Sequence, residues 1–241
     1  VENWNVLAGS TAADLLIVHG TGTKYFGGIG SDTLYANWSA ATTAITWTND
    51  PTATSQAVHD VTVGGVERML ISTGSGADKI ENTYNGNNTN DYIDTGAGND
   101  TINGGAGSDT ILGGAGNDDI TVVAGTTNYA VDGGADTDTV NITAITTGGT
   151  NYTMWAKSNA DATGAVNYSS SYDAVTTYMG SVVNAHLQYY SAGWVTQVSL
   201  KDVENWNVLA GSTTADLLIV HGTGTKYYGG IGSDTLYANW S

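Results

Sequence analysis

Between Gly96 and Ile120 the chain reads GAGNDTINGGAGSDTILGGAGNDDI, which sets Asp100, Asp109 and Asp118 at a strict spacing of nine residues. Each aspartate follows a Gly-x-Gly-x tetrad and is followed two residues later by an isoleucine, Ile102, Ile111 or Ile120. Glycines let a backbone curl around a hard cation and offer it carbonyl oxygens, while the aspartate supplies negative charge. The x-aliphatic-x triplet that follows is a strand too short to stand alone, so each unit must bury its one inward side chain against its neighbours. A chain built this way folds coil by coil, with the cation as part of the fold.

The same offset recurs well outside that block. Asp14 leads to Leu16, Asp32 to Leu34, Asp78 to Ile80, Asp91 to Ile93 and Asp138 to Val140. If one coil takes two nine-residue halves, loops on the same edge lie 18 apart, as Asp14 and Asp32, Asp91 and Asp109, and Asp100 and Asp118 do. Asp118 and Asp138 are 20 apart, which places a small insertion in VVAGTTNYAVD. Asp78 and Asp91 are 13 apart, which reflects the Asn-rich insert NTYNGNNTN.

A longer repeat encloses the short one. Val1 to Ser39 returns as Val203 to Ser241 at an offset of 202 residues, with only Ala12 replaced by Thr214 and Phe26 by Tyr228. The organisation read from this is a repeat unit opening at 1–39, a β-rich insertion at 40–72 and a glycine-loop block at 73–141. A long Tyr/Trp-rich β insertion follows at 142–202, and the next tandem unit opens at 203–241. The chain begins at Val1 rather than Met, which suggests a window on a longer array. The insertions are rich in Thr, Val, Tyr and Trp with local alternation and read as strands. Ser181 to Tyr190 is the one helix candidate, and its β-branched and aromatic content suits a strand at least as well.

Charge narrows the partners. With 23 acidic against 6 basic side chains the formal charge is −17, which repels nucleic acid and anionic lipid and attracts divalent cations. The absence of cysteine removes disulfides and thiolate metal sites. No run approaches the roughly 18 apolar residues of a membrane-spanning helix, so membrane insertion is not expected.

The loops Gly104 to Leu112 (GGAGSDTIL), Gly113 to Thr121 (GGAGNDDIT) and Gly27 to Tyr35 (GGIGSDTLY), with Thr95 to Asn103 lacking only the first glycine, resemble the RTX family of calcium-binding nonapeptide repeats. The family consensus is Gly-Gly-x-Gly-x-Asp-x-aliphatic-x. The resemblance implies several Ca2+ ions held by carboxylates and glycine-loop carbonyls. It carries the carboxylate role to Asp100, Asp109, Asp118 and Asp32, and then to Asp234, Asp91, Asp78 and Asp138. The carbonyl role falls to Gly96, Gly98, Gly104, Gly105, Gly107, Gly113, Gly114, Gly116, Gly27, Gly28 and Gly30. Three places depart from the pattern. Asp136 replaces the last glycine before Asp138, the Asp14 loop lacks most glycines, and the Asp78 and Asp91 loops are irregular.

The expected fold is all-β, a right-handed parallel β-roll or β-solenoid with β-rich insertions. No His-Glu-x-x-His, Gly-x-Ser-x-Gly, P-loop or dinucleotide fingerprint occurs, so an enzyme is not expected. The expected role is structural, as a tandem-repeat segment of an extracellular or cell-surface bacterial protein such as an adhesin stalk, S-layer component or filament. The family resemblance implies a type 1 secretion route. The expected partners are neighbouring repeat units of the same protein, assembling into a filament or layer. One alternative is a carbohydrate- or cell-binding module, with a glycan stacking on Tyr152, Trp155, Tyr168, Tyr172, Tyr178, Tyr189, Tyr190 and Trp194. Another is the non-catalytic portion of a secreted enzyme.

Overall fold

The computed structural model describes residues 5–9, 11–83, 88–123, 129–143, 152–156, 185–190, 194–203, 205–209, 217–221, 226–228 and 235–239. Among these every regular element is a strand, and most strand pairs are parallel.

From residue 68 onward the chain steps alternately between two walls. One wall carries β8 (Arg68–Ser72), β10 (Tyr92–Asp94), β12 (Thr110–Ala115) and β14 (Tyr129–Ala135), paired in that order. The other carries β9 (Lys79–Glu81), β11 (Thr101–Asn103), β13 (Asp119–Val123) and β15 (Thr139–Thr143). Each strand therefore hydrogen-bonds to the strand one coil away rather than to its sequence neighbour. This is the β-roll arrangement that nine-residue halves require.

The core lies between the walls, with one inward aliphatic on each three-residue strand and two on β8, β13 and β15, where Met69 and Ile71, Ile120 and Val122, and Val140 and Ile142 are buried. Ile93, Ile111 and Val131 are in register on the first wall, and Ile80, Ile102, Ile120 and Val140 on the second. All are 3% exposed or less. Apart from Val131, which follows Tyr129, these and Leu16 and Leu34 are the aliphatics that follow the loop aspartates by two, so that offset marks the inward position.

The segment 40–72 contributes strands to these same sheets. The first wall extends backward through β4 (Thr33–Asn37) and β2 (Leu15–Ile17), both in parallel register. The second extends to β5 (Thr46–Thr48), where Trp47 aligns with Ile80. A separate four-stranded sheet runs β1 (Asn5–Leu7), β3 (Lys24–Phe26), β7 (Val61–Gly64) and β6 (Gln56–Val58), the last pair antiparallel. Within the first wall Leu34 aligns with Met69, while Ile71 aligns with Ile93. The ladder has slipped by two residues, which keeps every side chain on its own face because strand side chains alternate with period two.

The long insertion enters the first wall. After β14 the sheet continues through β18 (Trp194–Lys201), β17 (Ala185–Tyr190), β16 (Tyr152–Ala156), β20 (Leu217–His221) and β22 (Thr235–Asn239), with β18, β17 and β16 antiparallel. The Ala185–Tyr190 part of the helix candidate is thus a strand. On the second wall β15 is followed directly by β19 (Asn205–Leu209) and then β21 (Lys226–Tyr228). No helix among the described residues is long and apolar enough to cross a membrane.

Candidate metal centre

Because the chain changes wall at each aspartate loop, the loops stack into two columns along opposite corners of the roll. The first corner carries Asp78, Asp100, Asp118 and Asp138, each just ahead of a second-wall strand. The second carries Asp14, Asp32, Glu67, Asp91 and Asp109, ahead of first-wall strands, and Tyr129 takes the next place.

Each column is tied by carboxylates reaching back one coil. On the first corner the Asp78 N–H donates to Asp100 Oδ1 at 2.7 Å, the Asp100 N–H to Asp118 Oδ1 at 2.9 Å and the Asp118 N–H to Asp138 Oδ1 at 2.9 Å. On the second corner Asp14 N–H donates to Asp32 Oδ1 at 2.8 Å and Asp91 N–H to Asp109 Oδ1 at 2.9 Å. The pairs expected at spacings of 18 and 20 are therefore the pairs the fold makes. Asp78 does not meet Asp91, because the two stand on different corners. Asp78 is instead tied to Asp100, and Asp91 accepts from Met69 N–H at 2.8 Å, both across 22 residues.

Two sets of participants escaped the sequence reading. Glu67 stands at an aspartate position, opposite Asp32, and its Oε2 accepts the Asp32 N–H at 2.7 Å. Its signal was the Val66-Glu67 pair two residues before inward Met69. Asparagines immediately before the aspartates form another ladder running the other way. Asn90 Oδ1 accepts from Ser108 N–H, Asn99 Oδ1 from Asn117 N–H and Asn117 Oδ1 from Thr137 N–H, all at 2.9 Å. The recurring Asn-Asp dipeptide was its visible trace.

The second carboxylate oxygen behaves differently. Oδ2 of Asp32, Asp78, Asp100, Asp109 and Asp118 is buried and has no hydrogen-bond partner. The first glycine of the motif makes room for it. A Cβ on Gly113 would lie 2.3 Å from Asp118 Oδ2, one on Gly104 2.5 Å from Asp109 Oδ2 and one on Gly27 2.5 Å from Asp32 Oδ2. Gly28, Gly30, Gly96, Gly98, Gly105, Gly107, Gly114 and Gly116 all have φ between +83° and +151°, where a side chain is strained. They also bring carbonyls of successive coils close: a Cβ on Gly114 would stand 1.8 Å from the Gly96 oxygen, and one on Gly116 1.8 Å from the Gly98 oxygen. Asp136, in place of a glycine, keeps the same left-handed backbone at φ 84°. Tyr129 Oη donates its single proton to the Gly105 carbonyl, and Thr95 Oγ1 donates to the Gly113 carbonyl at 2.9 Å, so neither is left to serve the adjacent carboxylates.

Burial has an electrostatic consequence. Desolvation, with the neighbouring carboxylates adding repulsion, pushes Asp109 and Asp118 up to about 7. Desolvation alone pushes Asp91 up to about 6, against the hydrogen bonds it accepts. Asp100 is raised for the first reason. A buried oxygen that lacks a donor and belongs to a carboxylate held near neutrality is costly, and either a proton or a cation relieves it.

The donor set chooses the cation. No group of three or more His, Cys, Asp or Glu converges among the described residues, so single carboxylates are supplemented by backbone carbonyls. All the available donors are oxygens, which suits a hard ion such as calcium and disfavours zinc or copper. Asp100, Asp109 and Asp118, with the carbonyls of Gly96, Gly98, Gly105, Gly107, Gly114 and Gly116, fit that ion. Asp32 and Asp78 have the same orphaned oxygen. Asp138 is buried and joined to its column, while Asp234 lies outside the described residues. So do Tyr168, Tyr172 and Tyr178 of the aromatic insertion.

Compared with known families, residues 85–120 match the RTX calcium-binding nonapeptide repeat in 4 copies, a span that takes in Asp91, Asp100, Asp109 and Asp118. The chain thus carries an RTX repeat block over that span, a kind of repeat that binds calcium. No curated protein matches the chain.

Proposed function

We propose that this chain is a calcium-stabilised structural segment of a tandem-repeat protein at the bacterial cell surface or outside the cell, forming the stalk of an adhesin, an S-layer or a filament. The observation that carries the reading is how the second copy joins the end of the glycine-loop block before it. β19 stacks on β15 as the next parallel coil, with Trp206 opposite Val140 and Val208 opposite Ile142. Within the copy, Asn207 aligns with Lys226 as Asn5 aligns with Lys24, and Leu217 with Thr235 as Leu15 with Thr33. Each of these registers is preserved at the 202-residue offset. A unit that docks onto its predecessor with the sheets continuous extends as a solenoid, each repeat presenting the next with the same edge.

An exterior location suits the chemistry, since a column of buried carboxylates needs a cation that is abundant where the protein works. Secretion by a type 1 route goes with this reading. Electron microscopy of the native material, or of a polypeptide holding several units, tests it with calcium present. Thin rods with one axial period per 202 residues are expected. Compact particles without axial order would overturn the structural role and favour an accessory domain of a secreted enzyme.

A further inference from the structure

We infer that the Asp91 loop, although it lies within the RTX match, is a calcium-independent junction in which the Asn82 carboxamide stands in for the metal. The inference rests on the calcium reading of the neighbouring loops and departs from it at this one position.

Register shows what Asn82 replaces. Glu81 aligns with Asn103, and the Asn82 N–H donates to the Asn103 carbonyl at 2.8 Å, which puts Asn82 one coil before Gly104 at the place of the motif's first glycine. At Gly104 the missing side chain leaves Asp109 Oδ2 beside the Cα without a donor. At Asn82 a side chain is present and reaches the corresponding oxygen: Asn82 Nδ2 donates to Asp91 Oδ2 at 2.7 Å. The other oxygen, Asp91 Oδ1, accepts from Met69 N–H at 2.8 Å, with the Thr89 hydroxyl, whose one proton is shared with the Glu67 carbonyl, at 3.2 Å. Both oxygens of Asp91 are thus served by protein donors. Their hydrogens, which carry positive partial charge, stand where a cation would have to approach.

The carboxamide is held in this orientation. Asn82 Nδ2 also donates to the Glu67 carbonyl at 2.8 Å, while Asn82 Oδ1 accepts from Asn49 Nδ2 at 3.0 Å. Asn49 Nδ2 in turn donates to the Val66 carbonyl at 2.8 Å. Turning the Asn82 amide over would set its oxygen against a carboxylate and a carbonyl, acceptor facing acceptor, so the network selects one orientation. Asn49 and Asn82 are only 2% and 1% exposed, so water does not offer an easy alternative. A metal at Asp91 would have to break this buried chain, whereas at Asp109 and Asp118 it meets an oxygen with no donor.

The junction this secures joins β8 to β10, the step between the 40–72 segment and the glycine-loop block. It is a seam that holds when calcium is scarce.

Calcium titration calorimetry on the full chain tests the assignment with Asp91→Asn and Asp109→Asn. Asp91→Asn should bind the same number of ions as the unaltered chain, with affinity within about twofold. Asp109→Asn should lose an ion or weaken binding at least about tenfold. Loss of an ion in Asp91→Asn overturns the inference, as does an Asp109→Asn variant that binds like the unaltered chain, because the two loops would then be alike. Absence of calcium binding by the unaltered chain would remove the calcium reading itself and the inference with it. Anomalous diffraction from calcium-grown crystals gives a second readout that needs no variant. Peaks are expected beside Asp109 and Asp118, and a peak at coordination distance from Asp91, about 2.3–2.6 Å, overturns the inference.

Discussion

The two corners of the roll have the same backbone and different chemistry. On the first, Asp78, Asp100 and Asp118 follow one another without interruption, each with one oxygen on the preceding coil's amide and one without a donor. On the second, the column is broken up by side chains that do part of a cation's work: the Asn82 amide on Asp91, Glu67 at an aspartate position, and Tyr129 following Asp109 with its hydroxyl on a glycine carbonyl. Stacking needs only backbone and one carboxylate oxygen. The second oxygen can be satisfied by metal or by protein, and this choice is made loop by loop.

Removing calcium should give the largest effect and should separate the corners. With EDTA the chain should lose most of its β circular dichroism and melt at much lower temperature, since each site at a thousandfold excess of ligand over its dissociation constant contributes about 4 kcal/mol. Hydrogen exchange at intermediate calcium should show the Asp78 and Asp100 amides opening before the Met69 amide that Asp91 holds. Equal loss at both corners would break the comparison.

Acidity should partly replace the metal. Asp109 and Asp118, raised to about 7 from the ordinary 3.8, bind protons in the folded chain that the unfolded chain releases. Such groups contribute stability that is fully present below about pH 4 and is lost as pH rises through about 7. The calcium-free chain should therefore be more stable at pH 5 than at pH 8, by a few kcal/mol. Calcium-loaded chain should show the reverse trend over the same window, because binding requires the carboxylates deprotonated. Thermal melts across pH with and without EDTA measure both slopes.

Asp118→Ala should cost about 3 kcal/mol in calcium, because it deletes a metal donor and leaves the buried Asp100 N–H unpaired. Gly113→Ala should cost about 2 kcal/mol by urea denaturation, its Cβ falling 2.3 Å from Asp118 Oδ2 and 2.6 Å from the Gly133 carbonyl. The smallest effect is expected from Asn117→Ala, about 1 kcal/mol, for the lost bond from Thr137 N–H. This last figure should be insensitive to calcium, whereas that for Asp118 should shrink in EDTA.

Much of the fold was legible along the chain because a coil of fixed length turns spacing into position. Nine residues to a half-coil and two from aspartate to inward aliphatic suffice to place Ile102, Ile111, Ile120 and Val140 in the core, all fully buried. The 18-residue pairs followed from the same arithmetic. It fails where the coil length changes. The Asn-rich insert lengthens one coil, so Asp78 is tied to Asp100 and Asp91 to the Met69 amide across 22 residues rather than 18. The two-residue slip at Met69 is invisible in sequence because it preserves the alternation of faces.

By itself, then, the sequence determined the repeating unit, the inward residues, the acidic oxygen chemistry and the family of the glycine loops, because each of these is set by local spacing and residue type. Only the tertiary structure decided which side chains stand one coil away from a given carboxylate. Asn82 is nine residues from Asp91, Asn49 is 33 from Asn82, and Tyr129 is 24 from the carbonyl it caps. Such meetings depend on the lengths of the insertions between coils and on how each one is absorbed into a wall. They separate a carboxylate that calls for calcium from one already satisfied by the protein around it.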